Sequence, residues 1–252
     1  MTDWSDRLAR IVETAVAVYN RHDTTTAAPI PDEPVLFVAN HGFGGVFDLN
    51  VVAFGIAHRA SGDDRPVIAL THQVAWQIGV GRLLEPFGAR PASRKTADDA
   101  LAEGKHVLVF PGGDVDAFKS WKDRNTVMFA GRTGFARLAM EAGVPIVPVV
   151  TSGGGESVVA LHGGAALAKT TGARERFRLS RLPVTLSIPW GINIGMVGLL
   201  PYVPLPTKLH TTFLPAMRPQ PDEDVKDYAE RVRATMQAEL DHQTRHRLPI
   251  IG

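Results

Sequence analysis

The sequence predicts an α/β protein, a single domain with a mostly parallel central sheet flanked by helices. Three observations carry this expectation. Continuous apolar runs at 35–39, 67–70, 106–110 and 146–150 suit short strands buried on both faces. Stretches of helical periodicity separate them, at about 48–60, 73–86, 95–103 and 126–142, and strand alternating with helix implies parallel pairing. The chain has 252 residues, a length that α/β folds often reach as one unit, and at 44% hydrophobic and 21% charged it is close to soluble globular averages.

The elements follow in order. Trp4, Leu8, Ile11, Val12, Ala15 and Tyr19 recur at helical spacing, so residues 1–26 are expected to hold an amphipathic helix that either packs on the domain or lies on a membrane surface. The first residues lack a basic stretch followed by an apolar run, so no signal peptide is expected and the default location is cytoplasmic. Residues 24–34 read as a polar, Pro-bearing connector, and 27–252 as the α/β domain proper.

Residues 182–207 carry no charged side chain. Their length would permit a membrane span, but Pro183, Pro189, Pro201, Pro204 and Pro206 would break a helix there. Strands and apolar loops are expected instead, lining a greasy pocket or dipping into a bilayer surface. Lys169, Arg174, Arg176, Arg178 and Arg181 precede this stretch. They form either a solvated face or a site for lipid headgroups or a phosphorylated cofactor. A strand over 208–214 and a closing helix marked by Val225, Tyr228, Val232, Met236 and Leu240 complete the chain, with Asp222, Glu223 and Asp224 at the helix start.

Composition excludes several functions. Lys plus Arg number 27 and Asp plus Glu 26, so there is no bulk basic field for nucleic acid. With no Cys, disulfides, Cys metal sites and a thiol nucleophile are excluded. The G-x-S-x-G nucleophile elbow and the Walker A loop are absent, and Gly79-Val80-Gly81 runs into Arg82-Leu83-Leu84 without the last Gly of a dinucleotide fingerprint.

The chemistry concentrates at two strand ends. The first buried strand closes in Asn40-His41-Gly42-Phe43-Gly44-Gly45-Val46-Phe47-Asp48, where open α/β sheets place ligands. Asp48 stands at a helix N-cap position. If the Gly-rich turn folds back, Asp48 can hold one nitrogen of His41 and leave the other as a base. The alternative is a capping Asp and an unrelated turn His. A later strand ends in Phe110-Pro111-Gly112-Gly113-Asp114, whose glycines permit close backbone approach. The other histidines show no metal-ligand spacing such as H-E-x-x-H, and no metal is expected.

These blocks, taken with Gly88-Ala89-Arg90-Pro91-Ala92-Ser93-Arg94 and Val144-Pro145-Ile146-Val147-Pro148-Val149, resemble the glycerolipid and lysophospholipid acyltransferase superfamily. That superfamily includes the bacterial acylglycerol-phosphate acyltransferases and relatives of the type 2 diacylglycerol acyltransferases. The likeness covers roughly residues 33–216, and the run from Phe110 to Pro148, with Gly131-Arg132-Thr133-Gly134-Phe135, is most similar to actinobacterial members, whose acceptors vary. It implies that His41 and Asp48 are catalytic, and that Asn40, Ser93, Arg94, Phe110, Pro111, Gly112, Gly113 and Asp114 contact substrate. The chain departs from the family pattern in two places. Six residues rather than four separate His41 from Asp48, a longer version also found in related branches. Gly112 and Asp114-Val115 stand where the family often has Glu and Thr-Arg, residues thought to hold an acceptor phosphate. Arg132 is then either the replacement anion binder or an exposed helix-start residue.

The resemblance implies transfer of a fatty acyl group from acyl-CoA or acyl carrier protein to a hydroxyl of a lipid acceptor, a glycerolipid or lysophospholipid. It implies no cofactor and a peripheral position on the inner face of the cell membrane. An acyl-binding tunnel or groove is expected near the sheet end. An acyl thioesterase or lipid hydrolase using the same pair, and a non-catalytic lipid-binding protein, are the competing readings.

Overall fold

Leu36, Phe37, Val38 and Ala39 are each 4% exposed or less, and these four residues in sequence without a polar face fix the centre of the molecule. The structure is a computed structural model and describes residues 3–44, 48–77, 79–173, 179–195 and 200–252. Helix α1 (Asp3–Tyr19) leads into strands β1 (Asp23–Thr26) and β2 (Leu36–Ala39). Helix α2 (Leu49–Ala60) and β3 (Val67–Thr71) follow. Two one-turn helices, α3 (Gln73–Gln77) and α4 (Val80–Leu84), precede β4 (Ala89–Pro91), α5 (Arg94–Ala102) and β5 (His106–Val109). Next come the short α6 (Gly113–Ala117), α7 (Gly134–Ala142), β6 (Ile146–Ser152), β7 (Val159–His162) and α8 (Ala165–Thr170). The hairpin of β8 (Val184–Ser187) and β9 (Gly191–Ile194), strand β10 (His210–Phe213) and α9 (Val225–Thr244) end the fold.

Seven strands form the main sheet in the order β1-β10-β6-β2-β5-β3-β4, parallel throughout except where β10 runs against β6. Strand side chains alternate between faces, and β2 shows what each face meets. Leu36 and Val38 pack with α5, α7 and α9 through Ala97, Phe135, Val232 and Met236. Phe37 and Ala39 pack on the other side with Phe54 and Ala57 of α2. Both faces are therefore covered, as a parallel sheet requires. Strands β7, β8 and β9 make a separate antiparallel sheet.

Four expectations are corrected. Part of the predicted connector is a strand: the β-branched Thr24, Thr25 and Thr26 pair with Thr211, Thr212 and Phe213, extending an edge that offered free backbone groups. The helix predicted over 73–86 breaks into α3 and α4, because Gly79 between them takes a left-handed φ of 84°. The helix predicted over 126–142 begins only at Gly134. Ala130 and Gly131 adopt φ of 53° and 71°, outside the right-handed helical region, and this break keeps the helix from extending back across them. Gln237 accepts from the Val127 N–H and Asp116 from the Met128 N–H. The face of α1 that packs is also not the whole predicted stripe. Val12 and Val16 pack on α2, while Trp4, Leu8, Ile11 and Tyr19 are exposed. Arg174, Arg176 and Arg178 of the predicted basic cluster lie outside the described residues.

Burial holds three histidines neutral. It lowers His22 to about 4, against the pull of Asp23, and it lowers His58 and His106. His22 donates from, or accepts at, Nε2 with the Thr211 hydroxyl at 2.9 Å, and its Nδ1 is buried with no partner among the described residues. A proton added to His22 therefore lands in a site that cannot solvate it. The unfolded chain binds protons below pH about 6.5 that the folded chain refuses, so stability is complete above that value and falls as the pH drops toward 4. His22 alone accounts for roughly 3 kcal/mol over this interval. Urea unfolding between pH 7 and 4.5 is expected to show this fall, and His22→Asn is expected to flatten it. An unchanged slope in His22→Asn would remove His22 as a cause.

Candidate active site

The parallel strands β2 and β5 both end at one edge of the sheet, and the two sequence blocks singled out above follow them directly. Asp48 is the N-cap of α2: its Oδ1 accepts from the Asn50 N–H at 2.8 Å. Its Oδ2 lies 2.6 Å from Nδ1 of His41. One carboxylate thus does both things that the spacing left as alternatives. Since the carboxylate accepts, Nδ1 carries the ring proton and Nε2 keeps its lone pair. Nε2 has no hydrogen-bond partner among the described residues. The His41 and Asp48 side chains are 17% and 8% exposed, sheltered but reachable. The ring of Phe110 stacks on the imidazole, with centroids 4.5 Å apart and planes 27° from parallel, and fixes its tilt.

A second pair fixes the backbone of His41. Asp116 Oδ2 accepts from the His41 N–H at 2.7 Å. Lys119 Nζ donates to the His41 carbonyl at 3.2 Å, to Asp116 Oδ1 at 2.9 Å and to the Thr126 carbonyl at 3.0 Å. Asp116 and Lys119 are 1% and 2% exposed, so this ion pair is buried and grips both sides of the residue that carries the imidazole. Sequence reasoning stopped at Asp114 and missed both. The available signal was opposite charges three residues apart just after Phe-Pro-Gly-Gly, one in α6 and the other two residues beyond its end.

Asn40 is buried and both ends of its amide are engaged: Nδ2 donates to the Thr151 carbonyl at 3.0 Å and Oδ1 accepts from the Thr151 N–H at 2.9 Å. Asn50 donates to the Asn40 carbonyl at 2.8 Å. Asn40 therefore locks the end of β2 to β6, a positioning task in place of the expected substrate contact.

The 110–114 block is rigid for similar reasons. A Cβ on Gly112 would fall 2.2 Å from Asp116 Cβ and 2.2 Å from the Met128 carbonyl oxygen. The Glu that the family often carries there has no room, which explains this departure. Gly113 takes φ of 49°, and its N–H is taken by the Phe110 carbonyl at 3.1 Å. Asp114 accepts from Arg132 at 3.0 Å and from the Ser180 N–H. Arg132 also donates to the carbonyls of Pro111, at 3.1 Å, and Gly112. Arg132 is thus a clamp whose charge Asp114 already meets, rather than the free anion binder considered from sequence. Ser93 and Arg94 are not brought to His41. They follow β4, three strand positions from β2, or roughly 14 Å. Ser93 caps α5, accepting from the Thr96 N–H at 3.0 Å, and Arg94 pairs with Asp98 and Glu141 at 2.8 and 2.6 Å.

His58, Asp63 and His106 place one ligand atom each within 4.8 Å of the others. The hydrogen bonding opposes a metal there. His106 Nδ1 accepts from the Val35 N–H at 3.0 Å, so its proton sits on Nε2 and is donated to Asp63 at 2.9 Å. A cation would have to displace that proton from a ring with no second site for it. Two open clefts, of about 600 and 440 Å³, lie elsewhere, one lined by Ile30, Asp63 and Arg65 and the other by Ser152, His210 and Gln243. Gly45, Val46 and Phe47, beside Asp48, are outside the described residues.

The sequence model of the family described as Acyltransferase matches residues 15–152. A chicken (Gallus gallus) protein named "DGAT1/2-independent enzyme synthesizing storage lipids" is 28% identical over 175 residues, 69% of this chain and 51% of its own. "Phytyl ester synthase 1, chloroplastic" of Arabidopsis thaliana is 28% identical over 50% of this chain and 18% of its own. An uncharacterised protein of Mycobacterium tuberculosis is 30% identical over 72% of this chain and 48% of its own. The chain spans about half the length of the first and third of these relatives. The crystal structure of the 1-acyl-sn-glycerophosphate acyltransferase PlsC from Thermotoga maritima superposes with a TM-score of 0.52, covering 98% of this chain and 85% of that one, at 14% identity. At that identity the likeness is one of fold.

Proposed function

The chain belongs to the Acyltransferase family, and from that premise we propose that it transfers a fatty acyl group from an acyl thioester to a hydroxyl of a glycerolipid or lysophospholipid, with His41 as general base. The observation that supports this reading best is the His41–Asp48 contact, which leaves Nε2 at the sheet edge without a partner among the described residues. An alcohol is a weak nucleophile at neutral pH. Nε2 takes its proton as the oxygen attacks the thioester carbonyl. Asp48 holds the ring in the tautomer this requires and stabilises the imidazolium that forms. A C–O bond forms, the tetrahedral oxyanion collapses, the C–S bond breaks, and the imidazolium returns the proton to the departing thiolate. No side chain is acylated on this route.

The donor is acyl-CoA or an acyl carrier protein, which present the same thioester to the site. The acceptor resides in a bilayer, so the protein works peripherally at a membrane. Among the described residues no helix is long and apolar enough to cross one. Labelled acyl-CoA incubated with the protein and a lipid extract is expected to yield an acylated lipid identifiable by mass. Release of free fatty acid without ester would overturn transfer in favour of hydrolysis.

Asp48→Asn separates the two tasks of this side chain. Asn caps a helix about as well as Asp, so α2 keeps its start. The charge and the tautomer control at Nδ1 are lost. The expected result is a fall in kcat of about 10²–10⁴-fold with KM for the donor little changed. A change confined to KM would make Asp48 a binding or capping residue.

A further inference from the structure

The hairpin of β8 and β9 is built inside out. The polar Thr185 and Asn193 face each other across it and are 1% and 5% exposed, while Leu186, Ile192 and Ile194 on the other face are 47%, 68% and 59% exposed. A half-buried antiparallel strand normally puts its apolar set inward, and a register slip of one residue would exchange the faces. Here the register pairs Leu186 with Ile192 and Val184 with Ile194 on the outside. Asn193 is accommodated within by bonds to the Ser187 hydroxyl at 3.0 Å and the Gly191 carbonyl at 3.1 Å. Trp190, at the turn, is 51% exposed, and its N–H is already given to the Pro201 carbonyl at 2.5 Å. Its ring can therefore enter an apolar medium without stranding a donor.

We propose that the outer face of this hairpin is the surface on which the protein sits on a lipid bilayer, with Trp190 and the isoleucines at the boundary between headgroups and acyl chains. The inference rests on the proposed function for the meaning of that contact. Three features favour a bilayer over a protein partner. Residues 182–207 hold no charged side chain, whereas a protein interface is bounded by a polar rim. The inner side of the same sheet belongs to the cluster containing Phe43 and Phe118, and Tyr202 packs on Phe43 at 5.8 Å. The docked face is thus joined to the loop that follows His41, where a lipid must arrive. Tyr19 donates to the Pro204 carbonyl at 2.8 Å, so the exposed apolar stripe of α1 ends against the same segment.

The test is flotation of the full-length protein with vesicles of phosphatidylcholine, alone or with phosphatidylglycerol. Binding to the uncharged vesicles is expected, little altered between about 0.1 and 1 M salt, because no ion pairing is involved. Ile192→Asp is expected to weaken it by at least about tenfold, with its melting temperature and its thiol release from a soluble short-chain acyl thioester in the presence of a soluble glycerol monoester unchanged, and Ile192→Leu to retain it. Binding that requires phosphatidylglycerol and disappears in salt overturns the proposal. So does undiminished binding by Ile192→Asp, including the case in which that variant merely converts a dimer to a monomer. Vesicle binding by a wild-type protein that releases no thiol from this thioester even with the soluble glycerol monoester present supports the docking face and overturns the acyltransferase reading instead.

Discussion

Replacing His41 with alanine is expected to lower acyl transfer by about 10²–10⁴-fold, the usual contribution of a positioned base, while the far-UV circular dichroism stays native. The fold should tolerate the change. The imidazole is partly exposed, its backbone is held independently by Asp116 and Lys119, and Asp48 keeps its capping bond to Asn50. The loss should appear in kcat, since the ring acts on the proton of the acceptor rather than on the thioester. Turnover within about tenfold of wild type would remove His41 as the base.

The largest stability effect is expected at Lys119. Lys119→Ala leaves the Asp116 carboxylate buried with its countercharge gone. Breaking a buried pair in this way costs about 3–5 kcal/mol, to be read from urea unfolding at neutral pH. Asp116→Asn combined with Lys119→Met is expected to recover part of that loss, because no unpaired charge remains. The double variant should nonetheless transfer acyl groups slowly, since the His41 carbonyl has lost the Nζ donor. A double variant with wild-type rate would make the pair structural alone. Equal instability of the single and double variants would show that the cost lies in packing rather than charge.

The parts of this molecule that could be read in its sequence are those where one residue type admits one environment. The run from Leu36 to Ala39 has no polar face, so it had to be a strand covered on both sides. A Gly-rich turn of that length allows His41 and Asp48 to meet, and only the resemblance to the acyltransferases favoured that pairing over a capping Asp and an unrelated His. What could not be read depended on distant partners. Gln237 and Asp116 hold the backbone at 127 and 128, and left-handed turns at Ala130 and Gly131 keep the helix from beginning before Gly134. Arg132 looked free until Asp114 and two carbonyls were placed around it. The alternation in β8 and β9 was equally ambiguous. It shows that the two faces differ and is silent on which one points inward. Asp116 and Lys119 read in sequence like any surface pair of opposite charges, and only burial distinguishes them.

The two oxygens of Asp48 make the start of α2 and the orientation of an imidazole one mechanical unit. A fluctuation that frays the first turn of this helix breaks the bond at the Asn50 amide and unhooks the ring in the same event. The lifetime of the aligned state is therefore bounded by the opening rate of a single helical turn, and solvent exchange at one amide proton reports how often the site is switched off.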